Sequence, residues 1–185
     1  MFHLSLQKME EQVILVDEND NQIGLMPKME AHEKALLHRA FSVFIFNKNG
    51  DLMIQQRAST KYHSPLLWTN TCCSHQREGE KNIEAGQRRL FEEMGFITNL
   101  EEVFSFIYKA SFDNGLTEHE LDYVLIGNFD GKPKINKEEV EAYKWMSLEE
   151  LKIDIENNPS IYTVWFQIIF NKSYKKLTNA KSNRS

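Results

Sequence analysis

Two cysteines, four prolines and eight glycines are all that 185 residues hold of the types that staple or interrupt a chain. The cysteines, Cys72 and Cys73, are adjacent. Neighbours on an extended strand point to opposite faces, so the pair makes a poor disulfide and no framework, and a reducing cytoplasm is the expected compartment. No apolar run approaches the roughly 20 residues of a membrane span. The stretch from Met1 to Glu11 has no apolar core long enough for a signal peptide. Basic blocks are missing as well. With 22 Lys and Arg against 27 Asp and Glu, the formal net charge is −5, which argues against nucleic acid as the main partner. What is present, 41% hydrophobic and 26% charged residues, suits one buried core. Residues 1–171 are expected to form a single domain and 172–185, rich in Lys, Asn and Ser, a frayed tail.

Val13 to Val16, the polar Asp17 to Asn21 and the run resumed at Ile23 read as strand, turn and strand. Lys28 to His38 is polar and lacks a clean period. Ala40 to Phe46 and Leu52 to Arg57, joined by Asn47-Lys48-Asn49-Gly50, read as a hairpin. Leu67-Trp68-Thr69 is a further strand. From Asn82 the pattern turns helical, with Ile83, Leu90 and Met94 on one side and Gly95 as terminator. Val103 to Tyr108 and Thr117 to Ile126 form a second hairpin across Asn114-Gly115, and Val140 to Met146 another strand. Ser147-Leu148-Glu149-Glu150 is a capping box, and the helix it opens ends at Asn157-Asn158-Pro159. Ile161, Trp165, Ile168 and Ile169 mark one face of a last helix. Strands on both sides of a central helix, with a helical end, predict an α/β fold of the α+β kind, an α/β/α sandwich around a mixed sheet.

In a strand of period two, Glu118, Glu120 and Asp122 share one face and Leu121, Tyr123 and Leu125 the other. Carboxylates on one face repel unless water or a cation joins them. His32, His38 and His75 lie far apart in sequence. If the fold brings them to Glu118 and Glu120, the set offers N and O ligands suited to Zn²⁺ or Mn²⁺; otherwise the strand presents a solvated acidic face. Cys73 stands two residues from His75 and on the same strand face, whereas Cys72 should point into the core. Lys28, Arg57, Lys61 and Arg89 sit on or beside polar connections, where surface charge is the ordinary role. Trp165 belongs to the apolar stripe of the last helix, but an indole face can also stabilise a cation in a dry pocket. Tyr108 either packs at a strand end or presents its phenol near such a site.

The segment from Ser74 to Phe96 resembles the Nudix box G-x5-E-x7-R-E-U-x-E-E-x-G-U, where U is apolar. Glu80, Arg88, Leu90, Glu92, Glu93 and Gly95 match, while Ser74 stands for Gly and Arg89 for Glu. That second exchange puts a cation at a metal-ligand position, weakening any cluster of several Mg²⁺ ions and allowing direct grip on an anion. Together with Leu37-His38-Arg39-Ala40-Phe41-Ser42-Val43-Phe44, Trp68-Thr69-Asn70-Thr71-Cys72-Cys73-Ser74-His75 and Glu118-His119-Glu120, the chain from Val13 to Phe170 resembles the type I, metal-dependent isopentenyl-diphosphate isomerases. The resemblance implies a Nudix-like fold and reversible conversion of isopentenyl to dimethylallyl diphosphate through a tertiary carbocation. It implies Cys73 and Glu120 as proton-transfer groups, and Tyr108 and Trp165 as pocket aromatics. His32, His38, His75, Glu118 and Glu120 are the implied metal ligands. Glu93, with the Cys73 carbonyl, is implied for Mg²⁺, and Lys28, Arg57, Lys61 and Arg89 for the diphosphate. The implied partner is a small prenyl diphosphate, not nucleic acid or membrane. The rivals are a Nudix hydrolase of a nucleoside diphosphate derivative and a non-catalytic diphosphate-binding module.

Overall fold

The computed structural model describes residues 11–61, 63–112 and 115–182. Nine strands form one mixed sheet: β1 (Gln12–Val16), β2 (Gln22–Pro27), β3 (His38–Phe46), β4 (Leu52–Arg57), β5 (Trp68–Thr69), β6 (Cys72–Ser74), β7 (Leu100–Ser111), β8 (Thr117–Asn128) and β9 (Val140–Met146). The helices are α1 (Lys28–Glu33), α2 (Asn82–Met94), α3 (Leu148–Asn157) and α4 (Val164–Ser182), with a 3₁₀ turn at Pro159–Ile161 before the last.

Every residue of β3 except Arg39 is buried, because helices cover both faces of this strand. Phe44 and Phe46 point one way and pack, with Ile54 and Val124, against Leu148 and Leu151 of α3 and Phe166 and Phe170 of α4. Phe41, Val43 and Ile45 point the other way, toward Ala85, Leu90 and Met94 of α2. Each fully buried side chain of this size contributes about 1.5–3 kcal/mol. The expected α/β/α sandwich is therefore present, with the sheet in the middle.

β3 and β4 form a hairpin for only two residue pairs, Ile45 with Met53 and Phe46 with Leu52. Beyond that they splay. β4 continues along β9 and β5, while β3 is flanked by parallel β8 and antiparallel β6. The opening is filled by Asn70 and Thr71. The Thr71 hydroxyl accepts from Ile45 N at 3.0 Å and donates to Met53 O at 2.6 Å, and the Asn70 amide donates to Val43 O and Cys72 O. Two polar side chains thus replace the missing ladder, and the chain enters β6 at Cys72.

Helix α2 opens with the Lys81 backbone N–H donating to the Glu84 carboxylate at 3.2 Å and ends at Gly95, whose φ of 73° is left-handed. A Cβ at Gly86 would meet Leu125 Cδ1 at 2.7 Å, so α2 lies closer to the sheet than any larger residue allows. Ile83, expected on the buried side, is exposed; Ala85, Gly86, Leu90, Glu93 and Met94 form the inner face instead.

Two further expectations change. The polar stretch after Pro27 contains the short helix α1, which buries only Ala31 and His32. The segment expected as a frayed tail from Lys172 is helical as far as it is described. Helix α4 continues through Ser182, because Ser173 and Leu177 extend its buried stripe and Lys172 and Lys176, each one residue before them, lie over aromatic rings of β7. Lys172 Nζ is 5.0 Å from the Phe106 ring and Lys176 Nζ 4.1 Å from that of Phe104. The second hairpin is present as β7 and β8, although Asn114 of its turn lies outside the described residues. So do residues 1–10, which held most of the stretch read for a signal peptide. Among the described residues no helix is long and apolar enough to cross a membrane.

Candidate active site

The register of the central strands assembles the site. His38 of β3 pairs with Glu120 of β8, Tyr108 of β7 with the same Glu120, and Ser42 of β3 with Cys73 of β6. Strand alternation then separates the two thiols. Cys72 is completely buried in the core under α2, while Cys73 is half-buried and lines a cavity of about 1170 Å³. Burial pushes the Cys73 thiol up to about 12; the Arg57 charge opposes this and the carboxylates of Glu93, Glu118 and Glu120 reinforce it. The sulfur keeps its proton at neutral pH.

Glu118, Glu120 and Asp122 do share one face, and that face is sealed rather than solvated: none is more than 7% exposed. Three imidazoles from separate elements converge on Glu120. Its Oε1 lies 3.2 Å from His75 Nε2, 3.6 Å from His38 Nε2 and 3.9 Å from His32 Nε2. One ligand atom from each of these four residues falls within 4.8 Å of all the others. The His38 ring has Nδ1 2.8 Å from the Leu36 carbonyl, which fixes a proton there and leaves Nε2 with its lone pair turned to the cluster. His32 Nε2 and His38 Nε2 have no hydrogen-bond partner although both are buried. Unpartnered nitrogens gathered on one carboxylate are what a divalent cation with N and O ligands would satisfy, so the residues fit such an ion. Burial also pushes the His75 imidazole down to about 4, which keeps it neutral as ligation requires.

The two carboxyls of the pair differ. Burial raises Glu120, but the three imidazoles crowded on it, of which His75 alone is within hydrogen-bond distance, outweigh burial and hold the group well below the ordinary carboxylate range. Burial and the adjacent Glu120 charge push Glu118 well above that range. The Tyr108 hydroxyl bridges them, 2.6 Å from Glu120 Oε2 and 3.0 Å from Glu118 Oε2. Glu118 stands beside the four-residue cluster rather than in it.

The four basic residues singled out in the sequence all line the same cavity. Arg89 is gripped by three carboxylates, at 2.6 Å from Glu92, 2.5 Å from Glu93 and 3.1 Å from Glu139. Lys61 pairs with the same Glu139, and Lys28 with Glu11 at 3.2 Å. Arg57 donates to the carbonyls of His63 and Ser64, and its guanidinium carbon lies 5.1 Å from the centroid of the Trp165 ring. Glu93 is buried on the cavity wall with one oxygen on Arg89 and the other 2.8 Å from Gln55 Nε2. A carboxylate in that position, beside a cavity lined by cations, fits a hard ion bridging to a diphosphate.

Trp165 is buried at the cavity wall, with the His63 ring edge-on to it at 5.4 Å and Phe112 stacked behind His63 at 5.6 Å. His63, Gln55 and Glu139 were not singled out in the sequence. Neither was Ser42, whose hydroxyl donates to buried Asp122 at 2.9 Å. Gln55 sits at an inward position of an apolar strand, a signal that was readable. Glu139 lies in a charged run before β9, where nothing sets it apart from Glu138 until the fold turns it toward Lys61 and Arg89.

A family model described as NUDIX domain matches residues 36–166. An isopentenyl-diphosphate Delta-isomerase 2 of Photorhabdus laumondii is 53% identical over 163 residues, covering 88% of this chain and 92% of that one. The protein of the same name from Aromatoleum aromaticum is 50% identical over 157 residues, covering 85% and 83%. Among solved structures, a Deinococcus radiodurans protein aligns with a TM-score of 0.67 at 22% identity, covering 80% of this chain and 90% of the other. The MutT protein of Methanosarcina mazei aligns at 0.62 and 15%, covering 76% and 94%. At those identities the structural likeness is one of fold alone. Identity at the level of the two curated relatives, across most of both chains, makes this protein a member of the Nudix family and, within it, of the isopentenyl-diphosphate Delta-isomerases.

Proposed function

We propose that Cys73 and Glu120 are the proton-transfer groups with which this chain interconverts isopentenyl and dimethylallyl diphosphate. The isomerase activity follows from membership of the family. The observation that carries the residue assignment is that a thiol from β6 and a carboxylate from β8 open onto one cavity.

A 1,3-proton shift adds a proton to an unactivated alkene at one carbon and removes one from another, by way of a tertiary carbocation. It therefore needs one group that holds a proton and one that lacks it. The Cys73 thiol, kept neutral by burial, and the Glu120 carboxylate, held below the ordinary range, form such a pair. They exchange roles when the reaction runs backwards. Tyr108, with its hydroxyl on Glu120, fixes the carboxylate's orientation. Trp165 offers the cation a π face that cannot bond to it. The apolar residues around Trp165 keep out water, which would otherwise trap the cation as an alcohol.

Lys28, Arg57, Lys61 and Arg89 grip the diphosphate, and this anchoring sets the prenyl group between acid and base. Glu93 would hold Mg²⁺ against the diphosphate, and His32, His38, His75 and Glu120, with Glu118 beside them, would hold Zn²⁺ or Mn²⁺. A cation bound in the histidine cluster supplies charge that keeps the Glu120 carboxylate anionic. Arg89 speaks against a hydrolase, since its guanidinium already neutralises the carboxylates that would gather the ions to activate water.

Incubating the protein with isopentenyl diphosphate and Mg²⁺ in deuterated water tests the reaction. Deuterium should enter the new methyl group of dimethylallyl diphosphate. Release of phosphate without isomer would favour the hydrolase and end this reading.

A further inference from the structure

We infer that Gln55 is a positioning residue for Mg²⁺, acting through Glu93 and through its own side-chain oxygen. This rests on the reading of Glu93 as the Mg²⁺ carboxylate. Gln55 belongs to the inward face of β4, is 3% exposed and borders the cavity beside Glu93 and Arg89. Its Nε2 donates to Glu93 Oε2 at 2.8 Å, while Glu93 Oε1 accepts from Arg89 at 2.5 Å. The orientation of the amide follows from chemistry, because only the nitrogen can face a carboxylate oxygen. The consequence is an orphan. Gln55 Oε1 is fully buried and has no hydrogen-bond partner, and a buried acceptor left without a donor is costly.

Mg²⁺ supplies the missing donor. The ion surrenders its hydration reluctantly and keeps several waters when it bridges a carboxylate to a diphosphate. A water of an ion held at Glu93 would be the donor that Gln55 Oε1 lacks. The amide therefore has two tasks: its nitrogen holds Glu93 in one orientation against the pull of Arg89, and its oxygen receives the ion's water. Apolar core packing, the usual role of an inward β4 position, accounts for neither the carboxylate partner nor the orphaned oxygen.

The test is binding of inorganic pyrophosphate, measured by calorimetry over a range of Mg²⁺ concentrations, for the wild type, Gln55→Leu and Gln55→Met. Methionine keeps the length and volume of the side chain and guards against loss of folding in the leucine variant. The Mg²⁺ concentration for half-maximal binding should rise tenfold or more, as on loss of a residue that orients a ligand. Binding without Mg²⁺ should stay within about twofold. In turnover, the KM for isopentenyl diphosphate should rise at limiting Mg²⁺ and recover at high Mg²⁺. An unchanged Mg²⁺ requirement in a folded variant overturns the inference, as does a kcat loss that added Mg²⁺ does not restore. Glu93→Gln separates the two layers. If it loses the Mg²⁺ response and Gln55→Met does not, Gln55 alone is misassigned; if neither loses it, the reading of Glu93 fails.

Discussion

Cys72 and Cys73 carry the same side chain, and strand alternation gives them different fates: one is sealed under α2, the other opens to the cavity. This contrast was legible in the sequence, because it needs only a period of two. His63 was not legible. Its ring became part of the site through its contacts with Trp165 and Phe112, which lie far away in the chain. Burial, aided by the charges of Arg57 and Lys28, pushes the His63 imidazole down to about 3 from its ordinary 6.5. A group depressed on folding contributes stability that is complete above its unfolded value and is lost as pH falls toward the folded one. The stability owed to neutral His63 should therefore drain away between pH 6.5 and 3. Denaturant unfolding at pH 7 and at pH 5 should show the wild type losing more stability than His63→Phe. Parallel losses in the two proteins would refute the assignment.

Elements with a strong period were readable, and those whose reasons are tertiary were not. The capping box at Ser147, the left-handed Gly95 and strand β9 stand where the sequence put them. Helix α1 escaped notice because it has six residues, no side-chain cap and only two buried positions. The extension of α4 was hidden by its composition, since lysines that cover the β7 rings look like a solvated tail. The splay of β3 from β4 was equally invisible, yet it creates the gap that admits the thiol strand. Thr71 holds that gap with one hydroxyl that bonds two backbone groups. Thr71→Val keeps the shape and strands the Ile45 amide and the Met53 carbonyl. It should cost about 2–4 kcal/mol, read as a shift in the denaturant midpoint with an unchanged slope. A loss below about 0.5 kcal/mol would mean that the hydroxyl does not hold the wedge.

For the whole molecule, residue types announced the chemistry and topology decided which of them meet. The histidines of the cluster come from α1, from the start of β3 and from just beyond β6; pairing of β3 with β8 and with β6, and packing of α1 near β8, bring them to Glu120. The sequence could name the candidates and could not show their convergence. It also left open whether the acidic face of β8 was solvated, a matter decided by the helices and loops that cover it. Glu139 joins Lys61 to Arg89 across 78 and 50 residues, a relation without any local signature.

The central claim is that the sulfur of β6 and the carboxylate of β8 act together on one substrate in one cavity. Turnover of isopentenyl diphosphate by Cys73→Ala and by Cys72→Ala, each checked for folding, tests it most directly. Loss of a proton-transfer group should lower kcat roughly a thousandfold or more in the first protein, while the second stays within about tenfold of wild type. Equal losses in the two, or near-normal turnover by Cys73→Ala, would contradict it.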